Sequence, residues 1–186
     1  MKESLLLVGS GGFGRVVLEH VSREFDCAFV DDGFDVGTRI CDAVVIGHVS
    51  DLKALRGQYD RLVVCIGNNE VRERIYRTAR ELGYSFPNIV CGSAYISPYA
   101  EIGDGCVFLN NVVIQNGSHV GNGVILNPGV EIHHDSFVDD DSLIYTNSCI
   151  RTYARVGKMV KIGSNVTISN AVVVEDGAVI ENGCTL

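Results

Sequence analysis

The chain has 186 residues, 46% hydrophobic and 20% charged, enough apolar mass for one or two globular domains with true cores. A net charge of −8 argues against general nucleic-acid binding and obliges any phosphate-bearing ligand to find a local basic patch. No stretch of about 18 apolar residues occurs, so no membrane-spanning helix is expected.

The N-terminal Leu5-Leu6-Leu7-Val8 run is too short for a secretion signal and enters a glycine loop directly, so the expected compartment is the cytoplasm. The seven cysteines are odd in number and scattered without a C-x-x-C pair. They read as reduced, mostly buried small residues, not as a disulfide or zinc framework, and no metal site is expected.

In chain order, Leu5–Val8 reads as a buried strand. The loop Gly9-Ser10-Gly11-Gly12-Phe13-Gly14 follows, then a helix with Val16, Val17, Leu18 and Val21 on its apolar side. Ala28–Asp32 is a second strand ending in two acids, Arg61–Gly67 a third, and Glu70–Leu82 a helix. Strands alternating with helices predict a parallel three-layer α/β unit over residues 1–92. The loop matches G-x-G-x-x-G, and Asp31 lies about twenty residues on, as in dinucleotide sites. Only one mononucleotide-sized, Rossmann-like half is present before the pattern changes. Two readings of the loop stand. It holds nucleotide phosphates at the helix N-terminus, with Asp31 and Asp32 free to accept from a ribose or base N–H. Or it is a tight turn that needs glycines and binds nothing.

Residues 93–186 obey a six-residue period. Counting in sixes from Ile96 to Leu186, all sixteen positions are Ile, Val, Leu or Phe, and two residues before each sits a small Ala, Ser, Val or Cys. If about a third of residues qualify, sixteen in succession is of order one in ten million by chance. Two core-facing residues and a corner, repeated every six, predict a prism of parallel strands with 18-residue coils, stacked at about 4.8 Å. An antiparallel sandwich would show turns every 8–12 residues or so and no strict period.

The order of these features resembles one family. A loop Gly-x-x-Gly-x-Gly, a strand ending Asp31-Asp32, then Ile66-Gly67-Asn68-Asn69-Glu70-Val71-Arg72, Gly123-Val124-Ile125-Leu126-Asn127 and His134-Asp135 are similar to the hexapeptide-repeat sugar acetyltransferases. The resemblance is strongest to UDP-4-amino-sugar N-acetyltransferases of the bacillosamine pathway. It implies a left-handed parallel β-helix after the α/β half domain, and a homotrimer. It also implies acetyl transfer from acetyl-CoA to the amino group of a nucleotide-linked amino sugar, a UDP-4-amino-4,6-dideoxy sugar. Gly11, Gly12, Phe13, Asp31, Asp32, Ile66, Gly67 and Asn68 would hold the nucleotide, and Asn127 would lie near the sugar. His134 would be the general base and Asp135 the acid beside it, with acetyl-CoA in the groove between neighbouring prisms. Leu143, Arg151, Thr152, Arg155, Lys158, Lys161, Gly163 and Ser164 are the residues expected near that co-substrate.

The residues themselves fit such chemistry. A neutral histidine can take the proton of an attacking amine near neutral pH, and a neighbouring carboxylate stabilises the imidazolium. Ile132 points inward by the period, so His133 and His134 fall at an outward corner; His133 is read as a neighbour without a role. Arg151, Arg155, Lys158 and Lys161 form a run of four cations without an acid, the expected seat of the CoA phosphates.

The sequence departs from the family at Leu143, where a second histidine is common, at Phe13 and Pro128, and at Leu186, where an added coil and tail are usual. Alternative readings are O-acetylation of a sugar such as sialic acid, or a non-catalytic nucleotide-sugar-binding trimeric scaffold. A γ-carbonic-anhydrase-like zinc enzyme would need three histidines, and His119, His133 and His134 lack its spacing.

Overall fold

A computed structural model describes residues 2–186. The chain forms two compact units that divide between Pro87 and Asn88.

The first unit contains β1 (Glu3–Val8), α1 (Gly12–Val21), β2 (Phe25–Val30), β3 (Arg39–Ile40) and β4 (Ala43–Gly47). After these come α2 (Leu52–Leu55), β5 (Arg61–Val64) and α3 (Asn69–Glu81). The sheet order is β3-β4-β2-β1-β5. β1, β2, β4 and β5 run parallel, with helices in the β1–β2 and β4–β5 connections. β3 is the exception to the all-parallel expectation and pairs antiparallel with β4. Only Cys41 and Asp42 separate the two strands, too few for a crossover, so they close as a hairpin. Leu6, Val8, Leu62 and Val64 pack with Ile75, Tyr76 and Ala79 of α3 in one core. The N–H of Val64 donates to the Tyr76 hydroxyl at 3.0 Å, which satisfies that buried oxygen.

The second unit is a parallel β-helix of two-residue strands on three faces. The first face stacks Tyr95–Ile96, Val113–Ile114, Glu131–Ile132, Cys149–Ile150 and Thr167–Ile168. The second stacks Glu101–Ile102, His119–Val120, Phe137–Val138, Arg155–Val156 and Val173–Val174. The third runs from Ile89–Val90 through Val107–Phe108, Ile125–Leu126, Leu143–Ile144 and Lys161–Ile162 to Val179–Ile180. Each strand pairs with the one 18 residues away, as Glu131 does with Val113 and Cys149.

The large residue of each repeat fills the interior, with Phe108, Ile114, Leu126, Ile132, Ile144 and Ile162 fully buried. Truncating one to Ala would cost about 2–5 kcal/mol. The small positions that are serine are also buried and are satisfied locally. Ser142 Oγ donates to the Gly157 carbonyl at 2.8 Å, and Ser148 Oγ to Gly163 at 2.7 Å. From Ile102 to Ile180, the third residue past each large residue turns left-handed. Gly fills several such corners, and Asp135, Asn147 and Asn165 fill others. Asp and Asn tolerate this conformation best after Gly.

The prism starts at Ile89, ahead of the boundary expected after residue 92. Its first small position is Asn88, which the apolar period could not reveal. Asn88 accepts from Cys106 N–H at 2.8 Å and donates to the Gly103 carbonyl at 2.7 Å, closing the first coil. No helix among the described residues is long and apolar enough to cross a membrane.

Candidate functional site

In the first unit an open cleft of about 450 Å³ lies at the C-terminal ends of β1, β2 and β5. Its lining includes Gly11, Gly12, Phe13, Asp31, Asp32, Ile66 and Gly67, all expected from the sequence. The loop glycines divide into two kinds. Gly14 has no room for a side chain, since a Cβ there would lie 1.9 Å from the Gly9 carbonyl oxygen. At Gly11 and Gly12 a Cβ would meet nothing within 4 Å, so these two leave the space before α1 open. That open space adjoins the first N–H groups of a helix, where anions are favoured.

The paired acids are less free than expected. Asp31 Oδ2 accepts from Ser10 N–H at 2.6 Å and from Ser10 Oγ at 2.7 Å, and Oδ1 accepts from Gly33 N–H at 2.8 Å. Burial pushes the Asp31 carboxyl up, but these bonds and the charge of His48 outweigh it and hold the pKa below its ordinary value. Asp31 therefore anchors the glycine loop to the end of β2. Asp32 Oδ1 accepts from Val49 N–H at 2.8 Å. Asn68 does not line the cleft; its side chain caps α3 by accepting from Val71 N–H at 2.9 Å. The fully buried Arg72 donates to the Ile66 carbonyl and to Asn69 Oδ1, each at 3.0 Å, and so fixes the loop between β5 and α3. Arg74 also lines the cleft and was not anticipated. Its signal was available, since Arg74 shares a helix face with Val71 and Ile75, which also line the cleft.

In the second unit His134 occupies the corner between the first and second faces. Its Nδ1 lies 2.8 Å from Asp135 Oδ2, and its Nε2 lies 3.2 Å from Thr152 Oγ1. The backbone N–H of His134 donates to Gln115 Oε1 at 3.0 Å, and the Tyr153 ring meets the imidazole edge-on at 6.2 Å. The side chains of His134 and Asp135 are 51% and 48% exposed, so a second molecule can reach the ring. A carboxylate at Nδ1 fixes the proton there and leaves the Nε2 lone pair to accept. Asp135 itself sits at φ 59 in the left-handed corner position. One coil below, a side chain on Gly117 would meet Asp135 Oδ1 at 2.5 Å, so the glycine makes room for the acid. Gln115, Gly117 and Tyr153 were missed as contributors. Subtracting 18 from 133 and 135, and adding 18 to 135, would have found them, because the coil is 18 residues long.

His133 turns the other way along the first face, with Nε2 3.3 Å from both Glu131 Oε2 and Cys149 Sγ. Burial, then the Glu131 charge, raises the Cys149 thiol above its ordinary pKa.

The expected co-substrate residues do not gather in one place on the chain. Arg151 and Thr152 share the His134 corner, one coil on. Arg155 projects from the second face over the Phe137 ring, 5.6 Å from its centroid. Lys158 sits at the next corner, 3.4 Å from Asp140, and Asp139 and Asp140 raise its ammonium pKa. Lys161, Gly163 and Ser164 line a cavity of about 370 Å³ beside the third face with Tyr145, Glu181 and Asn182. Four cations within eleven residues thus face four directions, because a hexapeptide repeat turns one corner every six residues. The single basic patch is not formed. Leu143 is buried at 3% exposure and offers no surface to a co-substrate. Asn127, at the corner between the third and first faces, donates Nδ2–H to the Ile144 carbonyl at 3.1 Å.

Comparison with known proteins follows this division. A family model of the PglD N-terminal domain matches residues 4–79, and one of the GMPPB C-terminal domain matches residues 89–179. The acetyltransferase domain of PglB from Neisseria gonorrhoeae FA1090 is 28% identical, with a TM-score of 0.93 over 100% of this chain and 91% of that one. Its complex with acetyl coenzyme A gives 0.92, also at 28% identity, over 100% and 93%. A histidine-to-asparagine variant of perosamine N-acetyltransferase from Caulobacter crescentus, in complex with CoA and GDP-perosamine, is 28% identical. Its TM-score is 0.70 over 98% of this chain and 90% of that one. The fold is the α/β half domain followed by a left-handed parallel β-helix. In both halves the chain is similar to the hexapeptide-repeat sugar acetyltransferases.

Proposed function

We propose that this protein moves an acetyl group from acetyl-CoA to the amino group of a nucleotide-linked amino sugar, with His134 as general base. The observation that carries this reading is the half-exposed His134 ring, held at Nδ1 by Asp135 and presenting Nε2 at an outer corner. Relatives from Neisseria gonorrhoeae and Caulobacter crescentus bound to acetyl-CoA, or to CoA and GDP-perosamine, support the reaction class. His134 Nε2 takes the proton as the amine nitrogen bonds to the thioester carbonyl carbon. Asp135 stabilises the resulting imidazolium. Collapse of the tetrahedral adduct breaks the C–S bond, and the proton passes to the departing thiolate. No metal or acyl-enzyme is needed, since positioning both substrates supplies much of the barrier reduction.

The cleft of the first unit holds the nucleotide in this reading. Its phosphates lie against the open loop at Gly11 and Gly12 with Arg74 as counter-charge, and Asp32 accepts from the ribose or base. Acetyl-CoA takes the cavity at Tyr145, Lys161, Gly163 and Ser164. That cavity and the His134 corner are on different sides of one prism, so a neighbouring copy must bring the two together, and we infer a homotrimer. Use of acetyl-CoA and seven cysteines without a disulfide fit a cytoplasmic protein.

The test is thiol release from acetyl-CoA in the presence of UDP- and GDP-linked 4-amino sugars, with the product identified by mass. The wild type forms an N-acetyl sugar, and His134→Ala loses about 10²–10⁴-fold in kcat. An unchanged rate in the variant removes the assigned base, and acetylation of none of these sugars removes the substrate class.

A further inference from the structure

The first face carries a second constellation, separate from the proposed base. Alternation along the chain sets Glu131 and His133 on one outward side, and the one-coil register sets Cys149 beside Glu131. The result is a glutamate, a histidine and a cysteine at positions i, i+2 and i+18, all meeting at one atom. Glu131 Oε2 and Cys149 Sγ each lie 3.3 Å from His133 Nε2, and the three atoms lie within 4.8 Å of one another. Ligand atoms 2.0–2.3 Å from a tetrahedral ion stand roughly 3.3–3.8 Å apart. An ion therefore fits among the three with small side-chain adjustments. Glu131 and Cys149 are on hydrogen-bonded strands, so two of the three donors are fixed by the sheet. His133 is 27% exposed on its side chain and Glu131 53%, which leaves an approach from solvent.

The donor set decides the ion. Calcium and magnesium take oxygen ligands, whereas a thiolate with an imidazole selects a softer cation. We propose that Glu131, His133 and Cys149 form a binding site for a thiophilic divalent cation, Zn²⁺, with the fourth tetrahedral position open to water. On binding, the Cys149 thiol gives its proton to solvent, and thiolate and carboxylate together balance the charge of the ion. This assigns chemistry to His133, which has none in the acetyl-transfer reading, and it stands independently of that reading.

The test uses the reduced, chelator-washed full chain. Titration with Co²⁺ is expected to give a thiolate-to-cobalt charge-transfer absorption that Zn²⁺ displaces. Cys149→Ser removes the band, while His133→Ala and Glu131→Gln weaken binding by about ten-fold or more. As a measurement free of variants, Zn²⁺ protects Cys149 of the wild type from alkylation, read by peptide mass, while the exposed Cys41 stays reactive. Absence of the band, its survival in Cys149→Ser, or equal alkylation of Cys149 with and without Zn²⁺ overturns the site.

Discussion

Thr152 stands one coil beyond His134, with its hydroxyl oxygen 3.2 Å from the imidazole Nε2. Because Asp135 claims Nδ1, this hydroxyl is the donor that meets the nitrogen lone pair in the free protein. It marks the direction from which a substrate N–H must approach, and it holds the ring ready for that approach. Thr152→Val keeps the shape and deletes the donor. A neutral hydrogen bond contributes about 0.5–1.5 kcal/mol, so kcat should fall roughly 2–10-fold, with Thr152→Ser restoring it. An unaltered kcat in Thr152→Val removes the hydroxyl from the site.

Asp135 depends on the absence of a side chain at Gly117, and a paired substitution separates that effect from backbone strain. Gly117 and Gly177 both have φ +69, but a Cβ at Gly177 meets nothing within 4 Å, whereas one at Gly117 strikes Asp135 Oδ1. Alanine in a left-handed position costs about 1–2 kcal/mol in either place. Both variants should therefore melt lower by similar amounts. Only Gly117→Ala should lose kcat, by about 10-fold, as the acid is displaced from Nδ1. Equal activity in the two variants would falsify the positioning role of Gly117.

The prism was legible because its interior admits one kind of residue every six positions. Ile132 and Val130 stay buried through the very segment that carries the two histidines, so the period also placed His134 outside. Partners across coils were harder to read, because Thr152 and Gly117 lie 18 residues from the groups they touch. The cations misled for the same reason. Arg151, Arg155, Lys158 and Lys161 are close in sequence, yet the chain turns a corner between them. In the first unit, the sequence located Asp31 at the strand end but not its commitment to Ser10 and Gly33, since hydrogen-bond capacity does not show which donor will be nearest.

That commitment has a pH signature. The Asp31 carboxyl is held below its ordinary value of 3.8, so its stabilising bonds are fully present above that pH and are lost as pH falls through the lower folded value. Stability of the wild type should thus decline below about pH 4 with a contribution from this group. Asp31→Asn should reduce the slope in that window and lower the stability at pH 7 by about 1–2 kcal/mol. Thermal melts at stepped pH measure both, and identical slopes for the two proteins would remove Asp31 from the acid response.

Arg74 is the cation that lines the cleft of the first unit in an otherwise acidic protein. If it faces the diphosphate, Arg74→Ala should raise the Kd for the nucleotide sugar about ten-fold and flatten the salt dependence of binding, with little change in melting temperature. The exposed Arg77, paired to Glu73 at 3.2 Å on the same helix, serves as the control, and Arg77→Ala should leave Kd unchanged. Matching Kd values for the two variants would place the phosphates elsewhere.

Finally, His134 and the cavity at Lys161 lie on different sides of one prism, which makes the proposed active site a property of two copies. His134→Ala and Lys161→Ala homotrimers should each be nearly inactive, one lacking the base and the other a contact to acetyl-CoA. Denaturing the two together and refolding them mixes copies at random. About a quarter of the sites then combine an intact base from one copy with an intact Lys161 from its neighbour. Activity should return to about that fraction of wild type, read as thiol release per site. If both residues of a site came from the same copy, mixing would restore nothing, so the refolded mixture decides between a shared site and a self-contained one.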